Sequence, residues 1–87
     1  MEKTRTKVLN MLKLYTTPIC PYCDYVKAEF AKLGVKYEIV DASLPENREE
    51  LIKLGGKSQV PFLVDTNKNV KMYESRDIVK YVKKTYF

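Results

Sequence analysis

The chain has 87 residues, 45% of them hydrophobic, which is enough apolar material for one small core and too little for two. Its net charge of +5 comes from 16 Lys and Arg interleaved with 11 Asp and Glu, so no basic stripe marks a nucleic-acid surface. The longest uncharged run, residues 14–23, is broken by Pro18 and Pro21 and is too short to span a bilayer. Residues 1–7 are basic and polar, no signal-peptide core follows them, and Glu2 argues against a mitochondrial presequence. The expectation is one cytoplasmic, monomeric domain over residues 1–87, with neither nucleic acid nor membrane as a partner.

Residues 11–15 read as a first strand. After a loop at residues 18–21, Tyr22, Val26, Phe30 and Leu33 recur at helical spacing, and Gly34 stands where a helix C-cap belongs. Residues 36–41 suit a second strand, with Tyr37 and Ile39 alternating against charged neighbours before Val40. Ser43 and Glu46 have the spacing of a capping box, Pro45 falls in the first turn of that helix, and Gly55-Gly56 ends it. Residues 61–64 form a short apolar strand, and a polar turn at residues 66–69 joins it as a hairpin to a fourth strand at residues 70–73. Ser75 is then placed to cap a last helix with Ile78, Val79, Val82 and Tyr86 on one face and Lys80, Lys83 and Lys84 outside it. The order is βαβαββα, an α/β class.

The chain has two cysteines, spaced Cys20-Pro21-Tyr22-Cys23 between a strand and a helix, which is the context that makes this spacing a redox signal. Pro21 favours the first helical position, so Cys20 becomes the N-cap, with its sulfur facing the unpaired N–H groups of Tyr22 and Cys23. Those donors stabilise a thiolate, and a thiol of ordinary pKa, about 8.5, is only slightly ionised at neutral pH. Cys20 is therefore the expected nucleophile and Cys23, one turn inside, the resolving thiol. With no histidine in the chain, activation falls to the helix end and nearby lysines, opposed by Asp24.

Other readings of the pair carry less weight. A structural disulfide over so short a loop would contribute only about 2 kcal/mol, and the cytosol keeps most thiols reduced. A zinc or iron–sulfur centre needs about four ligands, which two cysteines and no histidine do not supply within one chain. A cluster bridged between two chains and a non-redox interaction domain remain as alternatives.

The sequence resembles the glutaredoxin family through Tyr15, Cys20-Pro21-Tyr22-Cys23, Gln59-Val60-Pro61 and the Glu74 to Asp77 segment. The resemblance runs over nearly the whole chain. It implies a thioredoxin-like fold, a four-stranded mixed sheet with three flanking helices, that reduces protein disulfides or glutathione mixed disulfides. Glutathione is the implied co-substrate, with no tightly bound cofactor and no metal, and a thioredoxin reductase is the alternative source of electrons. Thioredoxin itself fits less well, since that family has Trp before the first Cys and Gly-Pro between the two.

By the same resemblance Pro61 is cis and Val60 offers its backbone N–H and C=O to substrate. Lys57 aligns with a basic residue that looks toward the glycine carboxylate of glutathione, although alone it is an ordinary loop lysine. Tyr22 would pack over bound glutathione, or equally be a partly exposed helix residue. Glu74 and Ser75 resemble the Glu-Ser pair that holds the γ-glutamyl group in glutathione S-transferase N-terminal domains, while Ser75 alone reads as a helix cap. The chain departs from many glutaredoxins at Thr17, where they have Lys, and at Met72-Tyr73, where they have Gly-Gly.

Overall fold

The structure, a computed structural model, describes residues 12–87, so the expected strand residue Met11 and the basic residues 1–7 lie outside the described part. Alternation along the strands divides the molecule into three layers. In β1 (Leu12–Thr16), Leu12 and Leu14 face one side and Tyr15 the other; in β3 (Phe62–Asp65), Leu63 opposes Phe62 and Val64 in the same way. One face is covered by α1 (Pro21–Leu33) through Val26 and Phe30, and by α3 (Ser75–Tyr86) through Ile78, Val79 and Val82. On the opposite face α2 (Pro45–Gly55) packs Leu51 against Tyr15, Phe62 and Val64.

The sheet order is β2-β1-β3-β4, with β2 at Glu38–Asp41 and β4 at Val70–Met72. β1 and β2 are parallel, joined by the crossover through α1, while β1 with β3 and β3 with β4 are antiparallel. Tyr15 pairs with Phe62 and Leu63 with Met72. The ends of β1, β2 and β4 and the start of β3 therefore gather at one end of the sheet. The βαβαββα order and the thioredoxin-like mixed sheet match the expectation. β2 is shorter than residues 36–41: Tyr37 precedes it and packs edge-on against Phe30 at 4.9 Å, and Ile39, on an edge strand, stays 52% exposed.

Two helix starts differ from the sequence reading. Asp41 accepts both the Ser43 N–H at 2.9 Å and its hydroxyl at 2.6 Å, so that hydroxyl is engaged backward in a turn instead of capping α2. Those two bonds also hold the Asp41 carboxyl below its usual range. Leu44 occupies the N-cap without a side-chain bond, and Pro45 opens the helix. Likewise Ser75 is the first residue inside α3, because the carbonyl of Glu74 already accepts the Ile78 N–H at 2.8 Å. Gly34 ends α1 as expected, at φ 75, a left-handed conformation that favours glycine.

At the far end of β3, the fully buried Asp65 accepts hydroxyl bonds from Tyr81 and Tyr86, both at 2.6 Å. The N–H groups of Asn67 at 3.0 Å and Lys68 at 3.3 Å complete its shell and fix the turn that follows.

Candidate active site

Thr16 ends β1, and five residues later Pro21 starts α1, leaving Cys20 at the N-cap in an extended conformation with φ -154 and ψ 96. Its sulfur accepts the Cys23 N–H at 3.1 Å, one of the two donors the sequence places there, and its carbonyl accepts the Asp24 N–H at 3.0 Å. Proline at the first helical position needs no partner for a missing N–H, so it removes one of the donors the first turn would otherwise leave open. Cys20 and Cys23 are joined as a disulfide, the oxidised form of a dithiol pair. Cys23 is fully buried and Cys20 is 6% exposed, so a partner arriving from solvent meets the Cys20 sulfur first.

Tyr22 does not share the core face with Val26 and Phe30; it is 68% exposed beside the pair. The buried stripe of α1 is Cys23, Val26 and Phe30, and burying Cys23 rotates the preceding residue outward by about a quarter of a turn. Ile19, at 92%, is exposed on the other side of Cys20.

The Val60–Pro61 bond is cis, and it leads into β3 where Phe62 pairs with Tyr15, at the end of the sheet from which the Cys20 loop departs. Pro61 is buried and Val60 half-buried. Glu74 is exposed and Ser75 half-buried at the start of α3, also at this end. Lys57 is exposed, with Nζ 5.2 Å from the centre of the Tyr73 ring. The Tyr73 hydroxyl accepts the Lys57 N–H and donates to the Lys57 carbonyl, both at 2.9 Å. These two bonds tie the loop before β3 to the segment before α3.

Beneath the site Tyr15 is fully buried and donates to Glu50 Oε1 at 2.9 Å. Burial, then the Glu50 carboxylate, pushes its phenol well above the ordinary tyrosine value. The sequence places Tyr73 at the end of the fourth strand and at a departure from a family pattern, whereas β4 ends at Met72; Glu50 has no part in the sequence reading. Both contacts join residues far apart in the chain, and no local spacing signals them. Among the described residues no group of three or more His, Cys, Asp or Glu is placed to hold a metal ion, and no helix is long and apolar enough to cross a membrane.

The family model for the glutathione S-transferase N-terminal domain matches residues 14–87. Glutaredoxin 1 of Rickettsia prowazekii is 39% identical over 66 residues, covering 72% of this chain and 70% of that protein. Among solved structures, glutaredoxin from Brucella melitensis superposes with a TM-score of 0.65 at 27% identity, over 91% of this chain and 84% of its own. Glutaredoxin 2 from Salmonella typhimurium, solved in complex with glutathione, gives a TM-score of 0.72 at 27% identity, over 84% of this chain but only 33% of its own. The chain thus spans about a third of that longer protein. A cysteine pair poised at a helix start, on a thioredoxin-like sheet shared with these relatives, makes this chain a member of the glutaredoxin family of thiol-disulfide oxidoreductases.

Proposed function

We propose that the protein reduces protein disulfides and glutathione mixed disulfides in the cytoplasm, with Cys20 as nucleophile, Cys23 as resolving thiol and glutathione as co-substrate. The observation that carries this reading is the asymmetry of the pair: Cys20 at the helix N-cap with its sulfur on a backbone N–H, Cys23 fully buried one turn inside. In the reduced protein the Cys20 thiolate attacks one sulfur of the substrate disulfide. A mixed disulfide forms on Cys20 and the other substrate sulfur leaves as a thiolate that takes up a proton. The Cys23 thiolate then attacks Cys20 Sγ, the second substrate thiol departs, and the two electrons delivered are accounted for by the Cys20–Cys23 disulfide. One glutathione reopens that disulfide as a Cys20–glutathione adduct, and a second removes the adduct as oxidised glutathione.

For the binding residues the reading assigns the Lys57 ammonium to the glycine carboxylate of glutathione, the Val60 backbone N–H and C=O to its peptide, and Glu74 with Ser75 to the γ-glutamyl group. Tyr22 supplies an exposed ring over the bound tripeptide, and Pro61 shapes the wall facing Cys20. A net charge of +5 favours an anionic co-substrate at long range. Glutathione in the complex with the Salmonella typhimurium relative supports this choice for the present chain.

The test uses Cys20→Ser and Cys23→Ser with glutathione and, separately, with a thioredoxin-reductase system as reductant. Cys20→Ser is expected to lose all exchange activity. Cys23→Ser should keep reduction of a glutathionylated peptide and lose reduction of a protein disulfide. An active Cys20→Ser beside an inactive Cys23→Ser would reverse the roles, and turnover only with the reductase system would remove glutathione as partner.

A further inference from the structure

The geometry points to Tyr73 as a positioning residue: its hydroxyl holds the loop before β3, and through that loop the substrate-facing Lys57 and Val60. Here the Tyr73 phenol does three things at once. Its oxygen accepts from the Lys57 N–H and donates to the Lys57 C=O, both at 2.9 Å, so one side chain satisfies both polar groups of one peptide residue. The face of its ring lies 5.2 Å from the Lys57 ammonium. Finally its ring centre is 4.6 Å from that of the fully buried Phe62, which anchors the phenol to the sheet.

The approach is possible only because residue 55 is glycine. A Cβ there would fall on the Tyr73 hydroxyl and lie 2.7 Å from Tyr73 Cζ and 2.8 Å from Phe62 Cε1. The end of α2, the loop and the start of α3 are thereby closed by a single side chain. Lys57 is an exposed side chain with many rotamers, and holding its backbone and its charge in place lowers the ordering cost that a carboxylate ligand meets on binding. The substrate in this argument is the glutathionylated one of the proposed function, on which the assignment rests.

Tyr73→Phe keeps the ring against Phe62 and under the ammonium while removing both main-chain bonds. It is expected to raise KM for a glutathionylated peptide about three- to tenfold with kcat within about twofold, from the loss of two exposed hydrogen bonds. Amide hydrogen exchange at Lys57 should accelerate in the same variant. Gly55→Ala, which displaces the hydroxyl without altering it, should raise KM in the same direction. In a Lys57→Ala background the effect of Tyr73→Phe on KM should shrink, a coupling that a general loss of stability does not produce. An unchanged KM, a fall in kcat with KM constant, or unchanged exchange at Lys57 overturns the role of Tyr73. A wild type that does not turn over the glutathionylated peptide overturns the glutathione reading instead, and exchange at Lys57 then decides alone whether the hydroxyl holds the loop.

Discussion

Tyr81→Phe should cost this protein far more stability than Tyr86→Phe, although both hydroxyls sit 2.6 Å from the same Asp65 oxygen. Asp65 is fully buried beneath its donors, so removing one that water cannot replace leaves the carboxylate less well paired. A hydrogen bond to such a charged group is worth about 1.5 to 3 kcal/mol, and the half-buried Tyr81 should show that full figure. Tyr86 is 38% exposed, so water can take the place of its hydroxyl and the expected loss is under about 1 kcal/mol. For a domain of this size each kcal/mol moves Tm by about 4 to 8 °C, which puts the Tyr81→Phe melt roughly 6 to 24 °C below wild type. Thermal melts of the oxidised proteins, followed by circular dichroism, measure both variants. Turnover at ambient temperature should be unchanged, because Asp65 closes the end of β3 remote from the cysteines. A Tyr81→Phe protein within about 0.5 kcal/mol of wild type, or a Tyr86→Phe protein that is the less stable of the two, refutes this account of the buried carboxylate.

Two further outcomes follow from the charged and titratable side chains. Thr17→Lys should lower KM for the glutathionylated substrate about two- to fivefold and Lys57→Ala should raise it, as expected of exposed ion pairs, with both effects shrinking at about 0.5 M salt; kinetics indifferent to salt would refute the electrostatic assignment. Stability should also fall as pH rises above 10, because burial and a neighbouring carboxylate keep the Tyr15 and Tyr81 phenols protonated well above their ordinary value of 10.0. The unfolded chain then releases its tyrosine protons first, so the urea midpoint should hold to pH about 9 and drop beyond about 10. Tyr81→Phe should flatten that drop, and an unaltered slope would count against it.

The parts of the fold visible in the sequence are those written in local patterns. Proline at 21 and 45 and glycine at 34 and 56 punctuate the helices, and the apolar residues of α1 and α3 recur at helical period. The cysteine pair was legible for the same reason, since its spacing and its place between strand and helix are local. Reading failed where two local partners competed. Ser43 had an Asp two residues before it as well as a helix after it, and the carboxylate took the hydroxyl. At Tyr22 the spacing left both a ligand-facing and a partly exposed reading open, and the demand to bury Cys23 turns the ring outward. The contacts of Tyr15 with Glu50, Tyr73 with Lys57, and Tyr81 and Tyr86 with Asp65 join positions 16 to 35 residues apart, and only the folded chain specifies them.

The same difference in range separates when the two halves of the site come into being. The sulfur of Cys20 and the N–H it accepts are three residues apart, so one turn of helix suffices to create that arrangement. The Val60–Pro61 segment is instead held by pairings between residues far apart in the chain, Tyr15 with Phe62 across the sheet and Tyr73 with Lys57 over 16 residues. A chain still emerging during synthesis can thus own its cysteine pair well before the segment proposed to meet a partner is in place. The cysteine pair is a local product of this chain and the proposed binding residues a global one.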